Sequence, residues 1–279
     1  DIYLGGVFAA AVNLSQFNNN VSICTLMGND KDIKAPLKKL KKKIKSKIFY
    51  ESKKVTTRKR RFVENGYNKK ISEVYFMDDN LLGKQNKSKI ISYLKKETSK
   101  FDVVILIDYG HGFIDKDIYN VLKQKAKFLA INCQTNSANL GFNLITKYPI
   151  SDFICIDEPE LRLATSDNIN EIQDIVKNQI TKKIKCKNIT ITRGRNGSFS
   201  YLNKNVLNTP ALISDKVIDT IGAGDVFLVI TSLLYSIKSD QLVSNIIGNI
   251  AGALKVDILG HSKSISKSNF YAVLNHVLK

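Results

Sequence analysis

Val217-Ile218-Asp219-Thr220-Ile221-Gly222-Ala223-Gly224-Asp225, followed at once by Val226-Phe227-Leu228-Val229-Ile230, decides how this chain is read. The pattern predicts a short strand, a glycine turn and a helix whose first turn carries a carboxylate. Glycine has no Cβ, so the backbone there can approach a ligand closely. The free N–H groups and the positive dipole end of a helix N-terminus attract an anion. Asp225 sits beside that anion hole, placed to accept a proton from an incoming hydroxyl. A charge-stabilising cradle next to a base is what phosphoryl transfer to an alcohol requires.

Two other glycine-loop readings fail on the residues. A Walker A loop needs Gly-Lys-Ser/Thr after its glycines, and the chain contains none. A dinucleotide fingerprint needs a third glycine where Phe227 stands and an acidic residue further on, where Asn245 stands. A plain strand-to-helix turn, with Asp225 as a mere N-terminal charge, also explains these residues taken alone. The segment resembles the Asp-Thr-x-Gly-Ala-Gly-Asp signature of the ribokinase-like (PfkB) carbohydrate kinases, matching it at Asp219, Thr220, Gly222, Ala223, Gly224 and Asp225.

Composition sets the outer limits. A chain of 279 residues can bury one substantial core, and a single α/β domain over 1–279 is expected. No apolar run reaches membrane-span length and no signal-peptide pattern opens the sequence. Cys24, Cys133, Cys155 and Cys186 lie far apart, three of them inside apolar runs, which suits buried reduced thiols and a cytoplasmic setting. His111, His261 and His276 show no metal-ligand spacing. The net charge of +18 admits nucleic-acid or anionic-membrane binding. The lysines are scattered, however, and no recognition motif accompanies them, so nucleic acid is not the expected partner. The densest run, Lys38 to Lys47, carries Leu37, Leu40, Ile44 and Ile48 at helical spacing and predicts an amphipathic helix with a basic face.

Along the chain, Gly5-Gly6 reads as a turn into a small-residue helix, and Val21 to Met27 as a strand ending at Gly28-Asn29-Asp30. The runs around Arg58-Lys59-Arg60-Arg61 and Ile71, Val74 and Phe76 flank Asn65-Gly66, a hairpin signal. Phe101 to Ile107, Phe128 to Asn132 and Phe153 to Ile156 are the continuous apolar runs of buried parallel strands. Ligands of open α/β sheets bind beyond the carboxyl ends of such strands. There this chain places Asp108-Tyr109-Gly110-His111-Gly112, Gln134-Thr135-Asn136-Ser137-Ala138-Asn139 and Asp157-Glu158-Pro159-Glu160.

The resemblance extends through these segments in order and implies an α/β, ribokinase-like three-layer sandwich with a mostly parallel central sheet and a small β lid near 48–77. It implies an ATP-dependent kinase in which Asp225 is the base and Gly222, Ala223 and Gly224 form the anion hole. Gly5, Gly6 and Asp108 would face a sugar or sugar phosphate. Thr192, Gly194 and Gly197, in a Thr-x-Gly-x-x-Gly turn, would meet the nucleotide together with Asp157, Thr220 and Asn249. Glu160 would support Mg2+ through water. Asp219 and the Ile221 carbonyl match positions that hold a monovalent cation such as K+, with the Lys255 to Ser264 loop completing the site. The Asp-Tyr-Gly-x-Gly and Gln-Thr-Asn-Ser-Ala-Asn stretches are similar to the heptose-phosphate kinase branch, which suggests a heptose 7-phosphate acceptor. Lid strands in this family often pair between subunits, so a homodimer is an expectation. Family members also carry, upstream of Gly-Gly, a strand ending in Gly-Asp whose carboxylate binds sugar hydroxyls, and this sequence opens at Asp1. The alternative reading is therefore a catalytically inactive sugar or nucleotide binder, or a fragment lacking that strand.

Overall fold

A computed structural model describes the chain except residues 31–32, 42–43, 53, 65–69, 79–81, 138, 213–216 and 278–279. The chain begins with α1 (Val7–Leu14), β1 (Ser22–Met27), α2 (Lys34–Lys41) and β2 (Lys45–Tyr50), then β3 (Arg58–Val63) and β4 (Lys70–Phe76). Next come α3 (Lys84–Glu97), β5 (Val104–Asp108), α4 (Lys116–Lys125), β6 (Leu129–Cys133), β7 (Phe153–Asp157) and α5 (Glu158–Thr165). The short helices α6 (Ile172–Ile175) and α7 (Thr181–Lys183) flank a π turn and lead into β8 (Asn188–Thr192), β9 (Ser198–Leu202) and β10 (Asn205–Thr209). The helices α8 (Ala223–Ser236), α9 (Gln241–Val256) and α10 (Lys267–Val277) follow.

The central sheet has the strand order β10-β9-β8-β7-β6-β5. Strands β5 to β8 run parallel, with Ile105 opposite Ala130 and Ile154 opposite Ile189, while β9 and β10 turn back antiparallel. Their continuous apolar composition follows from having both faces covered. Successive side chains point to opposite layers. Leu106, Ile131 and Ile156 join Ile90, Ile118 and Leu161 from α3, α4 and α5. On the other face Ala130, Phe153 and Cys155 meet Phe227 and Leu228 of α8. The result is a three-layer α/β sandwich with a mostly parallel sheet. Its four cysteines are unpaired, and among the described residues no helix is long and apolar enough to cross a membrane.

Two small sheets sit apart from this one. β1 pairs parallel with β2, and β3 pairs antiparallel with β4. The hairpin read from sequence is β3–β4, whereas Ile48–Tyr50 belongs to β2; the Asn65-Gly66 turn lies outside the described residues. Among the described residues β5 pairs only with β6 and β1 only with β2, and both line the same cleft.

Two local expectations are corrected. The helix over Lys38–Lys47 ends at Lys41, and Lys45 onward is strand β2. Leu37, Leu40 and Ile44 are buried as the helical spacing demanded, but pairing with β1 claims the rest, a tertiary contact overriding a local pattern. The strand over Val217–Ile221 does not form. The N–H groups of Ile218 and Asp219 both donate to the Val256 carbonyl, at 2.9 and 3.0 Å, so this segment is tied to the end of α9 and joins no ladder.

Candidate active site

The helix α8 packs against the sheet on one side and against its neighbour α9 on another, and every residue from Asp225 to Ser232 is buried, which fixes its N-terminus. Gly222 caps it in the left-handed region, φ +79°, where a Cβ would stand 2.9 Å from His261 Cε1. Glycine takes that conformation without the steric penalty of other residues. The first helical bond runs from Val226 N–H to the Gly222 carbonyl, so the N–H groups of Gly224 and Asp225 lie ahead of it. Thr220, exposed on the cleft, accepts from Ala223 N–H at 3.3 Å. Gly224 is exposed, and a Cβ there would meet nothing within 4 Å. Open space therefore lies above a turn of N–H groups.

Asp225 is buried in the first turn of α8. Its Oδ1 accepts from Gln134 Nε2 at 3.0 Å and from the Tyr109 hydroxyl at 3.2 Å. Burial pushes its carboxyl up to about 6, against the pull of those two hydrogen bonds and of the Lys255 and Lys59 charges. A carboxylate poised there titrates close to neutral pH, where a general base works best. In the sequence Tyr109 and Gln134 stand only as members of two stretches at strand ends that resemble a family pattern; their contact with Asp225, 116 and 91 positions away, is visible only in the fold.

The Gly5-Gly6 turn reaches the same place. Gly6 caps α1 at φ +55°, and a Cβ on it would stand 3.2 Å from the Tyr109 ring; one on Gly5 would stand 3.3 Å from His261. Sequence reading gave His261 no role. Burial and the neighbouring Lys255 and Arg61 charges bring its imidazole down to about 4, and its Nδ1 has no hydrogen-bond partner among the described residues.

Asp108, at the end of β5, is buried and engaged by the protein. Its Oδ1 accepts from Gly110 N–H at 2.9 Å, and its Oδ2 accepts from the Tyr148 hydroxyl at 2.8 Å and pairs with Lys147. It braces the loop that carries Tyr109. At the end of β7, Asp157 and Glu160 form a capping box: Asp157 Oδ1 accepts from Glu160 N–H, and Glu160 Oε2 from Asp157 N–H. Glu160 Oε1 also accepts from Thr135 N–H at 3.0 Å. Burial raises both carboxyls; the Asp157 charge raises Glu160 further, to about 8, and the Glu158 charge raises Asp157.

Across the cleft, Gly194 and Gly197 take φ +53° and +77° in the turn after Thr192. A Cβ on Gly197 would collide with the Thr209 carbonyl at 2.0 Å, whereas Gly194 faces open space. Asn249 in α9 donates to the Thr209 and Pro210 carbonyls, joining this wall to the helical layer. Asp219 Oδ1 accepts from Ile221 N–H at 3.0 Å, and its Oδ2 from Gly260 N–H at 2.8 Å. The fully buried Lys255 donates through Nζ to the Gly260 carbonyl at 2.6 Å. Its one sequence signal is a lone charge in the otherwise uncharged helix α9. All these segments line one cleft of about 2620 Å³, which runs from Gly5 past Asp225 to Gly197.

The family model described as pfkB family carbohydrate kinase matches residues 2–241. The chain belongs to the pfkB family of carbohydrate kinases. It is 24% identical over 267 residues to the bifunctional protein HldE of Aliarcobacter butzleri, covering 92% of this chain and 53% of that protein. The chain thus spans about half the length of the curated relatives it matches. Among solved structures, a putative ribokinase from Agrobacterium tumefaciens superposes with a TM-score of 0.78 at 16% identity, covering 99% of this chain and 87% of that one. Phosphofructokinase-2 from Escherichia coli, in complex with potassium, gives 0.77 at 13% identity, covering 97% and 87%. These likenesses establish a ribokinase-like fold.

Proposed function

We propose that this chain transfers the γ-phosphoryl group of ATP to a hydroxyl of a sugar or sugar phosphate. One observation carries the reading. A buried carboxylate titrating near 6, held at Oδ1 by Tyr109 and Gln134, stands beside a helix N-terminus whose Gly224 opens on empty space. Asp225 takes the proton as the acceptor oxygen bonds to the γ-phosphorus and the bond from that phosphorus to the bridging oxygen of ADP breaks. The N–H groups of the Gly222–Asp225 turn, those of Gly224 and Asp225 above all, hold the charge that spreads over the transferring oxygens. Thr192, Gly194 and Gly197, with Thr220 and Asn249, form the nucleotide side. Gly5 and Gly6 form the sugar side, with Asp108 holding the Tyr109 loop behind them.

Mg2+ fits the acidic head of α5. Asp157 and Glu160 are oxygen donors of the type this ion takes, often through water, and a cation would relieve the crowding of Asp157, Glu158 and Glu160 charge that raises both carboxyls. When bound, the ion would neutralise charge on the nucleotide phosphates. A potassium ion fits less well, because Lys255 Nζ already sits on the Gly260 carbonyl beside Asp219.

The acceptor we propose is a heptose 7-phosphate. Supporting it are the family pattern at Asp108–Gly112 and Gln134–Asn139, and Lys59, a cation that lines the same cleft and whose charge acts on Asp225. The exposed Phe62, Ile71 and Val74 on β3 and β4 favour a homodimer through the lid strands, which sedimentation would reveal. The experiment for the activity is ATP consumption against sugars, hexose phosphates and heptose phosphates. Turnover with a phosphorylated heptose above all others is expected. ATP binding without turnover on any acceptor would favour the inactive binder instead.

A further inference from the structure

Lys255 is the one charged residue of α9, and its side chain is fully buried. A lysine is almost never fully buried unless it is paired, because desolvating an ammonium is expensive. Here the compensation is specific. Nζ donates to the Gly260 carbonyl at 2.6 Å and lies 3.5 Å from the Ile258 carbonyl. The same Gly260 donates its N–H to Asp219 Oδ2 at 2.8 Å, so ammonium, loop and carboxylate form one chain of contacts. Asp219 and Asp225 both act on this ammonium through charge, opposing the downward pull of burial. The lysine also reaches the turn itself, since a Cβ on Gly222 would stand 3.4 Å from Lys255 Cε.

Backbone carbonyls of one loop facing a carboxylate from another make a cage for a monovalent cation. In this chain the Lys255 ammonium occupies the carbonyl side of such a cage, with Asp219 acting on it through charge and through Gly260. We propose that the Lys255 ammonium is a built-in replacement for a bound monovalent cation, holding the 255–260 loop against Asp219 and placing a fixed positive charge beneath the Gly222–Asp225 turn. Lys255 is a positioning residue, acting through Gly222 and Asp219 on the groups that meet the phosphoryl. A tethered cation stays with the protein whatever the salt, so the chain works without potassium. The inference rests on reading that turn as the anion hole, but the cage itself can be tested without turnover.

The test compares the chain with Lys255→Ala and Lys255→Met in potassium, sodium and methylammonium chloride at equal ionic strength. Melting temperature and ATP affinity are read for all three proteins, and turnover where an acceptor is known. For the unaltered chain, exchanging sodium for potassium should change ATP affinity by less than about twofold. Lys255→Ala opens the cage, so its melting temperature and its ATP affinity, weakened by about tenfold, should recover in potassium or methylammonium but not in sodium. Lys255→Met keeps the bulk without the charge and should recover in none. Potassium activation of the unaltered chain, or equal behaviour of Lys255→Ala in all three salts, would overturn the proposal. If Lys255→Ala does not fold in sodium, refolding in potassium supports the proposal and failure in every salt counts against it. If the unaltered chain turns over no acceptor, the kinase reading fails, while a melting temperature of Lys255→Ala that rises specifically in potassium still supports the cage.

Discussion

Asp225→Asn should make the protein more stable and nearly inactive, and the two effects should part with pH. The folded state raises this carboxyl from its ordinary 3.8 to about 6. At roughly 1.36 kcal/mol per tenfold change in proton affinity, holding it ionised costs the fold about 3 kcal/mol at pH 8. The cost is present above the folded value and vanishes below the unfolded one, so it shrinks as pH falls from about 6 towards 3.8. Asparagine keeps an oxygen for the Tyr109 and Gln134 donors and carries no charge to desolvate. Thermal unfolding at pH 8 should then show the variant melting roughly 6 °C higher, and at pH 5 the gap should be about half as large. For the unaltered chain, kcat/KM should fall about tenfold per pH step below pH 6, as the base is protonated. A variant less stable than the parent by the same margin at both pH values, with a parent rate flat down to pH 5, would refute the reasoning.

Other outcomes follow from the same geometry. Gly224→Ala places a methyl in open space, so its melting temperature should stay within about a degree of the parent while kcat drops about 10- to 100-fold; Gly222→Ala, strained at φ +79° and facing His261, should lose about 1–2 kcal/mol in denaturant unfolding as well. Tyr109→Phe removes a hydrogen bond that lowers the Asp225 carboxyl, and the acid limb of the pH–rate profile should move to higher pH. Asp108→Ala leaves Lys147 and the Tyr148 hydroxyl without their carboxylate and should cost about 2–3 kcal/mol in urea unfolding.

Much of this architecture is legible in the sequence, and the reasons for success and failure are physical. The runs Phe101 to Ile107, Phe128 to Asn132 and Phe153 to Ile156 announce parallel strands because burial on both faces leaves no polar positions. The Gly222–Asp225 turn is legible because glycine takes the left-handed cap at Gly222 without the steric penalty of other residues. What local pattern cannot show is which distant group completes a contact. The helical spacing read over Lys38 to Lys47 runs past Lys41, yet β1 recruits Lys45 onward as a strand. Val217 to Ile221 looks like a strand, yet the Val256 carbonyl takes its N–H groups. Tyr109, Gln134 and Lys255 converge on the 219–225 turn from three separate elements, so their partnership with Asp225 and Asp219 emerges only once the sheet and α9 are in place.

The most direct test of the central claim is phosphorus NMR of the reaction mixture, with ATP, Mg2+ and a panel of sugars and heptose phosphates, for the parent and Asp225→Ala. The account predicts a new phosphate ester and stoichiometric ADP with the parent, and neither with the variant at equal protein folding. Phosphoryl transfer that persists unchanged in Asp225→Ala would contradict it.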